Sequence, residues 1–230
     1  MVKISKRYRD ACKMIDPEKQ YSLSEAAGLL QKMPSVKFDE TVELSVNLGV
    51  NPKQSSQAVR GTVNLPHGSG KKVTVAAFTE SPEDALTAGA EYAGLEDLIK
   101  KVQDGWSEFD VAVATPNAMK QVRSIARILG PRGLMPNPKS GTVSEDISSA
   151  IEAVKAGRVE FKMDKTGTLA IIVGKRSFSS QALEENAQTI IDAVGGARPD
   201  NIKNQYIKNM ALSASMSPGI KLSPELYRKF

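Results

Sequence analysis

The sequence predicts a mixed fold, α+β in character at both ends of the chain and α/β in the middle. Three observations point there. Residues 37–48 alternate between apolar and polar side chains. Residues 73–157 run strand, helix, strand, helix. After Gly157 short strands return, followed by one long amphipathic helix.

The elements follow in order. Ser22-Leu23-Ser24-Glu25 has the spacing of a capping box, with Ser22 as N-cap and Glu25 reaching back to it. Leu23, Ala26, Ala27, Leu30 and Met33 then recur at helical spacing, and Pro34 ends the run. In the alternating stretch Phe38, Val42, Leu44, Val46 and Leu48 share one face, and Lys37, Asp39, Thr41, Glu43, Ser45 and Asn47 share the other. Parity alone therefore places Phe38 in the core. Asn51-Pro52 starts a loop.

Val73–Phe78 reads as a short buried strand. Ser81-Pro82-Glu83-Asp84 is a helix start, with a cap, a proline at the first position and acids at the positive end of the helix dipole. Leu95–Val102 reads as a helix, Val111–Ala114 as a strand, and Thr115-Pro116 as a second helix start. Met119, Val122, Ala126 and Leu129 line one face of the helix it opens, and Gly130-Pro131 closes it. Ser144-Glu145-Asp146 opens a further helix ending at Gly157. Val159–Met163 and Thr168–Val173 flank Asp164-Lys165-Thr166-Gly167, which reads as a hairpin turn. Leu183, Ala187, Ile190, Ile191 and Val194 form the apolar face of the next helix. Ile202–Leu212 is the expected last strand, and Ser213–Ile220 a loop.

Composition narrows the function. The chain has 230 residues, 40% apolar and 25% charged, as soluble globular proteins do. No apolar run approaches the ~20 residues that span a bilayer. The basic N-terminus has no apolar segment behind it, so no secretory signal and no membrane partner are expected, and a cytoplasmic location fits. Cys12 is the single cysteine, which excludes an internal disulfide. Net charge is +5, with the two ends (1–67 and 159–230) carrying +6 and the middle −1. An anionic partner of the ends is the natural expectation.

Catalytic chemistry finds little support. His67 is the one histidine, and no Gly-x-Ser-x-Gly elbow surrounds any serine. Metal and cofactor motifs are missing. Leu65–Lys72 resembles a phosphate loop only superficially, since Leu65 replaces the first glycine and Lys72 the final hydroxyl; it reads as a glycine-rich linker. Asp39, Glu40 and Glu43 read as carboxylates on a strand; alternation puts Asp39 and Glu43 on the polar face, where solvated charge is the default. Two readings from other classes stay open on residues alone: a phosphate-ligand-binding α/β protein, and a basic interaction module with an acidic partner.

One stretch is more specific. Gly130-Pro131-Arg132-Gly133-Leu134-Met135-Pro136-Asn137-Pro138-Lys139-Ser140-Gly141 holds three prolines, three glycines and two cations, a composition suited to one fixed shape. With Lys6-Arg7-Tyr8, Lys37-Phe38-Asp39-Glu40-Thr41-Val42-Glu43, Arg60-Gly61-Thr62-Val63, Leu65-Pro66-His67-Gly68, Ala114-Thr115-Pro116 and Gly157-Arg158-Val159-Glu160-Phe161, it resembles the ribosomal protein L-one family along nearly the whole chain, in its bacterial form.

That resemblance implies a non-enzymatic protein. It implies a discontinuous α+β domain from residues 1–67 and 159–230, and an inserted three-layer, Rossmann-like α/β domain from 68–158. Hinges would lie at His67-Gly68 and Gly157-Arg158. It implies large-subunit rRNA as partner, contacted by Lys37, Phe38, Thr41, Lys165, Thr166, Gly167, Lys175, Ser177, Ser215, Met216 and Ser217. Arg132 and Lys139 would add secondary phosphate contacts or fix their own loop. It further implies a mobile stalk that helps release deacylated tRNA from the exit site, repression through the protein's own operon mRNA, a monomer off the ribosome, and no cofactor. Two positions depart from the family: Ser217 stands where a glycine is usual, and Ala170 where a histidine or other polar residue is common.

Overall fold

A computed structural model describes residues 4–52, 54–202 and 204–228, apart from the side chains of Ser55 and Lys139. In chain order the elements are α1 (Lys6–Lys13), α2 (Leu23–Lys32), β1 (Thr41–Leu48), β2 (Arg60–Asn64), β3 (Val75–Phe78), α3 (Pro82–Thr87), β4 (Tyr92–Gly94), α4 (Glu96–Gln103) and β5 (Val111–Ala114). Then come α5 (Met119–Val122), α6 (Ala126–Leu129), α7 (Ile147–Lys155), β6 (Arg158–Lys162), β7 (Thr168–Lys175), α8 (Ser180–Gly196), β8 (Ile207–Ala214) and β9 (Ile220–Lys221). The fold is mixed α+β. The chain forms two compact units, one from residues 1–71 and 159–230 and one from 72–158.

The first unit is built on an antiparallel sheet in the order β7-β1-β8-β9. The central strand comes from the N-terminal segment and its partners from the C-terminal one, so neither end completes the sheet alone. Alternation on β1 sends Val42, Leu44, Val46 and Leu48 to one face. There they meet Leu23, Ala26, Ala27 and Leu30 of α2, and Leu183, Ala187, Ile190, Ile191 and Val194 of α8. Each large apolar side chain fully buried in this way contributes about 1.5–3 kcal/mol. The Ser22–Glu25 capping box forms in both directions. Tyr206, fully buried, donates its hydroxyl to the Val194 carbonyl at 3.1 Å.

The structure corrects several expectations. The segments around Asp164–Gly167 do not pair as a hairpin. β6 joins β2, and β7 joins β1, so the turn carries the chain from one sheet to another. The Ser213–Ile220 loop is instead the end of β8, a turn over residues 215–219 and the start of β9. Strands β2 and β4 and helix α1 were not expected; their apolar signals are too short to stand out.

A bulge between β1 and β7 decides which way Lys175 faces. The register slips between Val42 and Glu43, so Val173 and Gly174 are both buried. Without the slip, Lys175 would share the inward parity of Leu169, Ile171 and Val173. The extra residue resets parity and sets Lys175 opposite Thr41. The Val173 carbonyl accepts from the buried Asn186 amide at 2.8 Å.

The second unit has a parallel sheet in the order β4-β3-β5. All four residues of β3 are buried. Ala76, Phe78, Ala112 and Ala114 face one apolar cluster; Val75, Ala77 and Val113 face another. Helices therefore cover both faces, as crossover connections require. The Thr115-Pro116 helix is broken into α5, a 3-10 turn and α6; of its expected face Val122 and Leu129 are fully buried and Met119 packs partly buried beside them, while Ile125 is buried in place of Ala126. Ser81 makes no side-chain cap to α3; its own N–H is taken by the Thr79 hydroxyl.

Candidate nucleic-acid interface

One end of the four-stranded sheet gathers most of the expected contact residues. Thr41 opens β1, Lys175 closes β7, and Ser215 follows β8. Across the register, Thr41 pairs with Lys175 and Val42 with Ala214. Lys175 Nζ donates to Thr41 Oγ1 at 2.8 Å. The Thr41 N–H donates to Ser215 Oγ at 3.2 Å, and the Ser215 N–H to the Thr41 carbonyl at 3.0 Å. Three chain segments distant in sequence thus form one rim.

The rim is held by groups the motifs did not single out. Glu40 is fully buried and ion-pairs with Arg176, whose side chain is 10% exposed. Arg176 also donates to the Met33 carbonyl at the end of α2. The second Glu40 oxygen accepts the Met216 N–H at 3.2 Å, and Arg7 donates to the Met216 carbonyl at 2.8 Å. Asp39 accepts both the N–H and the hydroxyl of Ser177, at 3.1 and 2.7 Å. The alternation of β1 did carry a signal for Glu40, which shares the inward parity of Val42. A carboxylate at that parity needs a buried cation, and Arg176 supplies it.

These clamps leave two large apolar side chains in solvent. Phe38 is 52% exposed and Met216 is 50% exposed. The parity reading of Phe38 as core is therefore wrong: β1 begins only at Thr41, and Phe38 lies in the bend before it. Lys37 is exposed beside it. Ser217 has no positive φ, and its hydroxyl turns inward to accept the Ala214 N–H at 2.8 Å. A side chain where glycine is usual is thus absorbed by the turn.

Lys165, Thr166 and Gly167 lie elsewhere. Their turn precedes β7, whose first residue pairs with Asn47 at the other end of β1. Six residues of strand, about 20 Å, separate the two places. Asp164 organises this turn by accepting the Thr168 N–H and the Thr166 N–H, both at 2.8 Å, and the Thr166 hydroxyl. The Thr168 N–H first, then the Thr166 hydroxyl, holds the Asp164 carboxyl below its usual range. Gly167 sits at φ +83°, within reach of the Leu48 and Val50 carbonyls, where a side chain would be strained.

Between the two places runs the outward face of the sheet, which sequence reading did not assign. Its cross-strand rows are Ile172–Glu43–Ser213, Ala170–Ser45–Ala211 and Thr168–Asn47–Asn209. Glu43 is the one charged residue among these nine, and every other side chain is short apart from Ile172. The result is a surface of hydroxyls, amides and, in its middle row, the methyls of Ala170 (the departure) and Ala211 flanking Ser45. Wide, shallow RNA minor grooves present 2′-hydroxyls to surfaces of this kind.

The signature loop belongs to the second unit. Leu134 and Met135 pack on one of its apolar clusters. The Ala114 N–H donates to Thr142 and the Ser144 N–H to Ala114, so the loop's end runs along β5. Arg132 donates to the Ser107 hydroxyl. Lys139 lies in a short 3-10 turn, and its side chain is outside the described part. His67 and Gly68 are tied to α8: the His67 N–H donates to Asn186 Oδ1 at 3.1 Å, and the Asn186 amide donates to the Gly68 carbonyl at 3.1 Å. The first compact unit runs on to Lys71 and resumes at Val159. Gly157 has φ +104°. Among the described residues no cluster of His, Cys, Asp or Glu could hold a metal, and no helix is long and apolar enough to cross a membrane.

Comparison with known proteins gives relatives over nearly the whole chain. Residues 30–218 match the model of the ribosomal protein L1p/L10e family. A large ribosomal subunit protein uL1 of Solidesulfovibrio magneticus is 51% identical, covering 100% of this chain and 98% of that protein. The uL1 proteins of Kosmotoga olearia and Protochlamydia amoebophila are each 49% identical, over 96% and 95% of this chain and 97% and 93% of theirs.

Proposed function

The chain belongs to the ribosomal protein L1p/L10e family and is a structural, non-enzymatic constituent of the large ribosomal subunit; from that premise we propose that its first unit binds large-subunit rRNA through the outward sheet face and its rim. The observation that carries the proposal is the clamped rim at Thr41, Lys175 and Ser215. Its hydrogen bonds fix the shape before any partner arrives, which lowers the ordering cost of binding. Phe38 and Met216 offer apolar cover to sugars, the small outward side chains admit a groove, and Lys37 and Lys175 supply phosphate contacts.

The finer roles follow from the family resemblance. The RNA-bound protein forms a mobile stalk beside the tRNA exit site and helps release deacylated tRNA. Free protein, a monomer, represses its own operon by binding a look-alike structure in the mRNA. The working location is the ribosome in the cytoplasm.

The test is binding to an rRNA fragment from the stalk base against a scrambled RNA of equal length, titrated with salt. We expect structure-selective binding that Met216→Asp and Lys37→Glu each abolish. Full selective binding by both variants refutes the surface. Equal binding to both RNAs by the unaltered chain leaves only a generic basic module.

A further inference from the structure

The rim contains four cations, Arg7, Lys37, Lys175 and Arg176, but also three carboxylates, Asp39, Glu40 and Glu43. One of its cations is already committed to a carboxylate, Arg176 to Glu40. A surface so nearly balanced recognises shape and hydrogen bonds, and its Lys37 and Lys175 supply only part of the attraction to a polyanion. The rest of the first unit's positive charge lies elsewhere.

It is concentrated in a groove of about 790 Å³ at the outer edge of β8. The groove exists because β9 pairs only with Ala211 and Leu212, leaving the earlier part of β8 without a strand beside it. The chain then returns past that edge. The Leu222 N–H donates to the Met210 carbonyl at 3.0 Å, and the Tyr227 hydroxyl reaches the Lys208 carbonyl at 3.5 Å. Arg198, Lys208, Lys221 and Arg228 line the walls, with amides such as Gln205 and Asn209 between them. Among the described residues no Asp or Glu lines it. Lys221 donates to the Pro17 carbonyl and Arg198 to the Ile202 carbonyl, both at 2.9 Å. The Lys221 bond fixes that side chain without cancelling its charge. Lys208 and Arg228 are exposed.

We infer that this groove is a second RNA contact, one that holds the phosphodiester backbone without reading sequence or shape. Four cations and several amide donors suit phosphate oxygens, and the lack of a carboxylate on the walls removes the repulsion that would oppose them. Asn209 belongs both to the groove and to the outward rows of the sheet, so one RNA leaving the sheet face at that end passes directly into the groove. The rim and sheet then select the RNA, while the groove supplies the larger part of the salt-dependent affinity. The choice of RNA as partner rests on the proposed rRNA-binding function; the groove and its charge do not.

The experiment compares three full-length proteins on the stalk-base rRNA fragment and its scrambled counterpart: the unaltered chain, Met216→Asp, and Lys208→Gln with Arg228→Gln. Affinity is measured from about 50 to 200 mM salt, and melting curves confirm folding. Removing one phosphate contact lowers the log–log salt slope by about 0.7–0.9. The double variant should therefore weaken binding to both RNAs alike, and its affinity drop across that range should be roughly tenfold smaller than that of the unaltered chain. An unchanged slope and affinity in the double variant overturns the groove. Unchanged selectivity in Met216→Asp overturns the sheet reading instead. Failure of the unaltered chain to bind either RNA overturns both.

Discussion

The two sheets of this protein differ in what covers them. The antiparallel sheet of the first unit has helices on one face only, and its strands alternate apolar and polar side chains. The parallel sheet of the second unit is covered on both faces, and β3 is buried along its whole length. The difference shows where a macromolecular partner can lie. A sheet buried on both sides is spent on stability, whereas a sheet with one solvated face keeps an ordered, hydrogen-bonding surface free.

The sharpest way to break the comparison is to remove the clamp under the free face. Glu40→Ala leaves Arg176 without its buried partner. It should cost the first unit about 3–5 kcal/mol and leave the second unit unchanged, read by hydrogen exchange resolved along the chain. Replacing both partners with apolar residues, Glu40→Leu with Arg176→Met, should recover much of that stability while RNA binding stays weakened, because the Met216 N–H has lost its acceptor.

A matched pair of substitutions tests the faces themselves. Ala77 is fully buried in the second sheet; Ala170 is exposed on the uncovered face of the first, on the edge strand β7. Ala77→Asn should destabilise the second unit by about 3 kcal/mol, since the amide is both oversized and without partners. Ala170→Asn should move stability by no more than about 0.5 kcal/mol in thermal melts, and RNA affinity by no more than about fivefold.

A further small effect lies in the second unit. Burial by itself would raise the Glu91 carboxyl, but the Val75 N–H at 2.7 Å and the Lys155 ammonium at 2.9 Å outweigh it and hold the group below its usual range. A lowered folded pKa means that the stabilisation is present above the unfolded value of 4.5 and is lost as pH falls through the lower folded value. Glu91→Gln should remove this acid sensitivity from the second unit and cost at most about 1 kcal/mol at neutral pH, because the side chain is partly solvated. Acid titration of both proteins, followed by tryptophan fluorescence from Trp106, checks it.

Much of this was legible in the sequence, for identifiable reasons. The Ser22–Glu25 box, the alternation of residues 41–48 and the face of α8 are local signals, and each formed as read. What failed was non-local. The Asp164–Gly167 turn has the composition of a hairpin, but pairing was decided by β1 and β2, far away in the chain. Phe38 obeyed the parity of a strand that starts three residues later. The bulge that turns Lys175 outward has no sequence mark of its own. The proposed contact residues could be named from family motifs, but not the buried Glu40–Arg176 pair that shapes their rim, nor the row of short side chains that joins the rim to the turn. The motif most specific to the family, residues 130–141, proved to be a loop fixed within the second unit.

Whether RNA lies on the uncovered sheet face of the first unit is decided by amide chemical-shift mapping of the full chain with the stalk-base rRNA fragment. Shifts are expected at Lys37–Asn47, Lys165–Ser177 and Asn209–Ser217, and none along β3 and β5. Shifts confined to the second unit, or to the helical side of the first at α2 and α8, would contradict that placement.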